Sequence, residues 1–122
     1  MERAEAADSP IDFERLREVS DDDAEMMNEL IDLYFSQTGE QLDELENAVA
    51  AGNFDGIYKS AHKIAGGSLT CGMNAIVSPI RELEQIGRNQ NGENAETLFV
   101  EAKNAFSQMK SYLELNREEM LH

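Results

Sequence analysis

The chain has 122 residues, a length that fits one domain, and is 41% apolar, enough to build a core and to argue against wholesale disorder. Its formal net charge is −15, from 25 acidic and 10 basic residues, which disfavours nucleic acid and anionic membranes as partners. A single cysteine, Cys71, allows no internal disulfide, no apolar run reaches the ~18–20 residues of a membrane span, and no apolar stretch follows the acidic N-terminus as a signal peptide requires, so a cytoplasmic location is expected.

Only two prolines and eight glycines, among many Leu, Ala, Glu and Met, favour helix. Residues 1–8, MERAEAAD, read as a flexible tail, and residues 9–122 as one domain. Ser9 and Pro10 suit the cap and first position of a short helix to about Val19, with Ile11, Phe13 and Leu16 available for docking. Ser20-Asp21-Asp22-Asp23 then opens a long helix, since a capping hydroxyl and carboxylates suit the positive end of the helix dipole. Met27, Ile31, Tyr34, Thr38, Leu42, Leu45 and Val49 recur at threes and fours up to Ala51, with Gly39 the one place for a kink. Gly52 ends this helix and Asn53 caps the next, which spans 54–71 and stops at Gly72.

A fourth helix runs from about Ala75 to Arg88, with Ile76, Ile80, Leu83 and Ile86 or Gly87 inward. Its start is either at Ser78, before Pro79, or at Asn74. Residues 89–94, NQNGEN, form a turn, and a last helix covers about Glu93 to Glu118 with Ala95, Leu98, Ala102, Ala105, Met109 and Tyr112 on one face. Short loops between amphipathic helices give an all-α fold: an antiparallel up-down four-helix bundle with a short additional N-terminal helix capping one end.

The stretch SAHKIAGGSLTCGM, residues 60–73, departs from this pattern. On a wheel of ~100° per residue, Ile57, Ala61, Ile64, Ser68 and Cys71 define the core face of the third helix and His62 points to solvent. Gly66 lies one turn on and on the same outer face, where packing does not explain a missing side chain. A glycine inside a helix costs roughly 0.5–1 kcal/mol relative to alanine, and Gly67 repeats the cost. Clearance explains it: another molecule can approach the imidazole closely. Leu69 adds an apolar residue beside the spot, and Lys59 and Lys63 are the only basic residues between Arg17 and Arg81. Imidazole is a competent nucleophile at neutral pH and can form covalent intermediates. No zinc-ligand spacing, nucleotide loop or triad partner accompanies His62 within the motif, so chemistry there needs a partner.

These residues resemble the histidine-containing phosphotransfer (HPt) domain of two-component phosphorelays. The family pattern is roughly A-H-x-L-K-G-[SA]-[SA]-x-x-x-G; here it is Ala61, His62, Lys63, Ile64, Ala65, Gly66, Gly67, Ser68, then Gly72. The likeness extends to LIDLYFSQTGEQLDELENAVAAGN upstream and IRELEQIGR downstream. It implies that His62 accepts a phosphoryl group from a receiver-domain aspartyl phosphate and passes it to another receiver aspartate. It implies a module, not an autonomous enzyme, with no cofactor of its own, since Mg²⁺ belongs to the partner receiver. The implied partners are response-regulator receiver domains and a hybrid or sensor histidine kinase; no nucleic acid, metal or membrane is expected, and a monomer is. The alternative is a degenerate HPt-like bundle that binds a receiver-like partner without being phosphorylated.

Two features qualify the likeness. The family lysine three residues after the histidine is Ala65 here, and Lys59 and Lys63 support the site only partially. A lysine restored at 65 is expected to reach out to water and lean back over His62. The expected docking surface combines Leu69 with Met26, Leu30 and Leu33 of the second helix; an equal reading packs the latter three under the N-terminal helix.

Overall fold

The computed structural model describes residues 9–120; the tail expected at 1–8 lies outside the described residues, as does His122. Its helices are α1 (Phe13–Val19), α2 (Ala24–Ala51), α3 (Phe54–Cys71), α4 (Val77–Asn89) and α5 (Ala95–Met120), with one 3₁₀ turn, Asn74–Ile76, leading into α4. Each long helix packs on its neighbours in sequence, and α5 closes back onto α2, which completes the four-helix bundle; α1 covers one end.

Local chemistry sets the long boundaries. Asp23 caps α2 by accepting from the Glu25 and Met26 amides, Gly52 ends it in the left-handed region at φ 65°, and Asn53 caps α3 through the Gly56 amide. Ser20 belongs to the end of α1, where its hydroxyl donates to the Leu16 carbonyl at 2.7 Å. Asp21 and Asp22 turn the chain at φ 56° and 59°, a conformation that Asp tolerates better than most residues. Helix α2 runs unbroken through Gly39.

Besides Ser20, expected to help open α2 but found closing α1, three boundaries differ from the sequence reading. The first helix begins at Phe13 with Asp12 as its cap, not at Ser9-Pro10. The reason is tertiary: the Pro10 carbonyl accepts from the Ala75 amide at 3.0 Å and the Asp12 amide donates to the Gly72 carbonyl at 2.7 Å. These bonds strap residues 10–12 across the end of α3 and bury Ile11. Gly72 is required twice over there, for its φ of 72° and because a Cβ would meet the Asp12 carbonyl oxygen at 2.6 Å. At α4, neither Ser78 nor Asn74 caps the helix. Ile76 holds the cap position, with Pro79 in the first turn, where its missing N–H is harmless. The last helix starts at Ala95, two residues later than expected.

The core joins Ile31, Leu45, Ile57, Ile64, Met73, Ile76, Ile80, Leu83 and Met109, all fully or almost fully buried. Val49, Ile86 and Tyr112 are only partly buried at its margin. No helix of the described residues is long and apolar enough to cross a membrane.

Candidate functional site

Helix α3 turns Ile57, Ala61, Ile64, Ser68 and Cys71 inward, and α4 packs closely along one flank. That approach depends on Gly87, where a Cβ would stand 2.5 Å from the Tyr58 nitrogen and 2.8 Å from the Phe54 carbonyl oxygen. On that flank it widens the buried arc of α3 to include Ala65. Ala65 is fully buried, which corrects the expectation that a lysine at this position reaches water; its Cβ lies in the packed flank rather than at the edge.

His62 stands at the solvent edge of the same flank, with its side chain 62% exposed. Its ring stacks on that of Tyr58, one turn earlier, with centroids 5.6 Å apart, and the Arg88 guanidinium lies 5.4 Å from the Tyr58 ring centre. Nδ1 is 2.7 Å from Oε2 of Glu84 on α4, whose side chain is only 6% exposed. The other Glu84 oxygen accepts from Arg81 at 2.9 Å. Burial alone raises the Glu84 carboxyl, but hydrogen bonds from His62 and Arg81 and the charges of both hold it below the ordinary carboxylate value. An ionised Glu84 only accepts, so Nδ1 carries the proton and donates. The lone pair is then on Nε2, to which no described residue hydrogen-bonds.

Beside His62, α2 and α3 form an open groove of about 370 Å³ lined by Leu30, Leu33, Gln37, Lys63, Gly66, Gly67 and Thr70, with Tyr34 and Cys71 toward its floor. A Cβ at Gly66 or Gly67 would meet nothing within 4 Å, and neither has a positive φ. Neither packing nor backbone conformation explains these glycines. Leu69 is 44% and Leu33 53% exposed; Met26 is also exposed, outside the groove lining, and Leu30 is half-buried in its wall. The stripe therefore faces solvent and is not covered by α1. In the floor, the Tyr34 hydroxyl and Ser68 Oγ are 2.7 Å apart. Burial pushes the Tyr34 hydroxyl up to about 12 and raises the Cys71 thiol, which keeps both neutral.

Lys59 is tied to Asp55 at 3.0 Å on an exposed edge, whereas Lys63 lines the groove and has no ion pair among the described residues. No group of three or more His, Cys, Asp or Glu gathers in the geometry of a metal site among the described residues.

The family model described as "Hpt domain" matches residues 29–113, most of the chain, including His62, Glu84 and the whole groove. The chain belongs to the Hpt domain family. This Hpt domain is 32% identical over 92 residues to the phosphorelay intermediate protein rdeA of Dictyostelium discoideum, a match covering 75% of the chain; the chain spans about a third of that relative, 36% of its length. Its fold is that of histidine-containing phosphotransfer protein B (HptB) from Pseudomonas aeruginosa PAO1, with a TM-score of 0.83, 21% identity, and coverage of 92% of this chain and 97% of the other.

Of the residues singled out in the sequence, Lys63, Gly66, Leu30 and Leu33 line one groove, whereas His62, Leu69 and Met26 are exposed outside its lining and Lys59 pairs with Asp55. Sequence reasoning missed Glu84, Arg81 and Tyr58. The signal for Glu84 was present: an acid four residues after Ile80 and three before Gly87, inside the buried stripe of α4. A carboxylate in such a stripe needs a partner. Tyr58, four residues before His62, is its neighbour on the same helix face.

Proposed function

We propose that this Hpt domain is a phosphorelay intermediate in which His62 Nε2 accepts a phosphoryl group from the aspartyl phosphate of a receiver domain and passes it to the aspartate of another. The single observation that carries this reading is the imidazole itself. It is exposed, its Nδ1 is occupied by a buried carboxylate, and Gly66, one turn on, puts no side chain beside it. Phosphoryl transfer depends mostly on positioning and charge neutralisation, and an oriented nucleophile supplies the positioning. The receiver brings its own Mg²⁺ and acceptor chemistry, so the domain acts only with a partner, and it works in the cytoplasm. Its partners are response-regulator receiver domains and the hybrid or sensor histidine kinase that loads them.

The receiver docks on Leu69, Leu33, Leu30 and Met26, with Lys63 at the edge of the same surface. Exposed apolar residues grouped around a reactive atom suit a transient partner better than solvent. Ala65, in place of the family lysine, favours the alternative of a domain that binds receivers without carrying phosphate; the Glu84 contact favours transfer. Incubation with a phosphorylated receiver tests both. Acid-labile, alkali-stable label on the native chain and none on His62→Gln is the expected result. Binding without label supports the non-transferring alternative, and label retained by His62→Gln overturns the assignment.

A further inference from the structure

Resting on the reading that His62 carries the phosphoryl group, we infer that the Arg81–Glu84 pair holds phosphorylated His62 as a phosphoimidazolium, with its proton kept on Nδ1. This protein is then a short-lived, forward-passing donor rather than a phosphoryl store.

The chemistry follows from where the proton sits. As His62 is loaded, the Nε2 lone pair forms the N–P bond while the P–O bond of the aspartyl phosphate breaks, and that bond's electron pair leaves with the receiver carboxylate. No proton moves. The ring keeps its Nδ1 proton and becomes a cation, still donating to Glu84 at 2.7 Å. To become a neutral phosphoimidazole it must lose that proton. The Nδ1 lone pair would then face a carboxylate oxygen, two acceptors opposed with no hydrogen between them. In the onward step the N–P bond breaks and its pair returns to Nε2. From the cation, the leaving group is neutral imidazole, already hydrogen-bonded. From the neutral form it would be an imidazolate anion, a far poorer leaving group. Retaining the Nδ1 proton therefore makes the phosphoryl group mobile.

The charges around the ring show why the pair decides the matter. From α3 come Lys59, already paired with Asp55, and Lys63; from α4 come Arg81 and Arg88. All four cations disfavour a second positive charge on the ring, but Lys59 and Arg81 are half or more exposed and screened by water. Among the described residues, Glu84 is the one anion in contact with the ring, and it is buried. Among the described residues, no charged side chain of α1, α2 or α5 bonds to either residue. Arg81 supplies what a buried carboxylate needs to stay ionised.

The test phosphorylates the full chain with phosphoramidate, a small donor that needs no partner protein, and follows phosphate release across the pH range. Glu84→Gln keeps the size and the hydrogen bond, but its amide can face either protonation state, so the bias disappears. Because the ring is largely exposed, the expected effect is about tenfold: near pH 8 the variant holds its label about ten times longer, while the two proteins converge near pH 5, where the ring is protonated in both. A merely structural role would shift the rate equally at every pH. Nitrogen NMR of the unmutated phosphoprotein, which does not depend on the variant folding, should show Nδ1 still protonated near pH 8. Labelled His62 with a deprotonated Nδ1, or with the same pH profile in both proteins, overturns this inference and leaves the relay reading standing. Failure of His62 to take label overturns the relay reading and this inference with it.

Discussion

Replacing Gly66 separates stability from access. Most helix-interior glycines serve packing, and a side chain there destabilises; at Gly66 a Cβ meets nothing within 4 Å and the backbone φ is not left-handed. Gly66→Ala is therefore expected to stabilise the fold by about 0.5–1 kcal/mol through helix propensity alone. For a domain of this size that raises Tm by about 2–4 °C. Gly66→Arg keeps most of this gain, because its side chain extends into solvent. The same side chain occupies the space beside His62, one turn away. Misplacing reacting atoms by about 1 Å costs about a hundredfold, so transfer from a phosphorylated receiver should fall at least that far in Gly66→Arg and by a smaller factor in Gly66→Ala. Thermal melts and a receiver-coupled time course, on the same preparations, give the two readings. A loss of stability would show that the space is filled in solution. Unchanged transfer in Gly66→Arg would show that the partner does not approach from this side, and the clearance argument fails.

Gly87→Ala should behave in the opposite way: its Cβ would press on the Tyr58 and Phe54 backbone, so α3 and α4 must part, at about 1–3 kcal/mol in denaturant melts and with loss of the His62–Glu84 bond in nitrogen NMR. If the variant is as stable as the parent, the helices are not held at this distance by Gly87. Tyr34 sets an alkaline limit. The unfolded chain releases its phenolic proton near 10 and the folded one at about 12, so stability is fully present below 10 and falls by roughly 2–3 kcal/mol as pH rises through 12. Tyr34→Phe should flatten that limb, and an identical alkaline curve for both proteins would refute the assignment. Lys59→Ala and Lys63→Ala should each slow transfer by less than about tenfold, since exposed ammonium groups are screened; abolition by either change in the time course would mean that it carries the function of the lysine missing at Ala65.

What could be read from the sequence was what local chemistry decides. Gly52, Asn53 and Gly72 mark helix ends because cap geometry depends on a few adjacent backbone groups, and the outward direction of His62 follows from helical periodicity alone. Contacts between distant segments were not legible. Pro10 looks like a helix start until the Ala75 amide claims its carbonyl. Ala65 lies off the core direction of α3 on a wheel, yet the close approach of α4 at Gly87 buries it. Glu84 reaches His62 from 22 residues away, and no pattern within either helix encodes that meeting.

His62 lies in mid-helix, well inside α3, and its support comes from a second helix, with no loop interposed. In the proposed relay, a receiver therefore meets a finished shape. Little chain has to be ordered when the two proteins join, so the entropic penalty of association stays low and a small apolar patch is enough to hold the complex for one exchange. Nothing has to reopen afterwards, and separation can be as quick as encounter. A scaffold of this kind favours many brief meetings over a few long ones, which is what the proposed exchange with successive receivers would need.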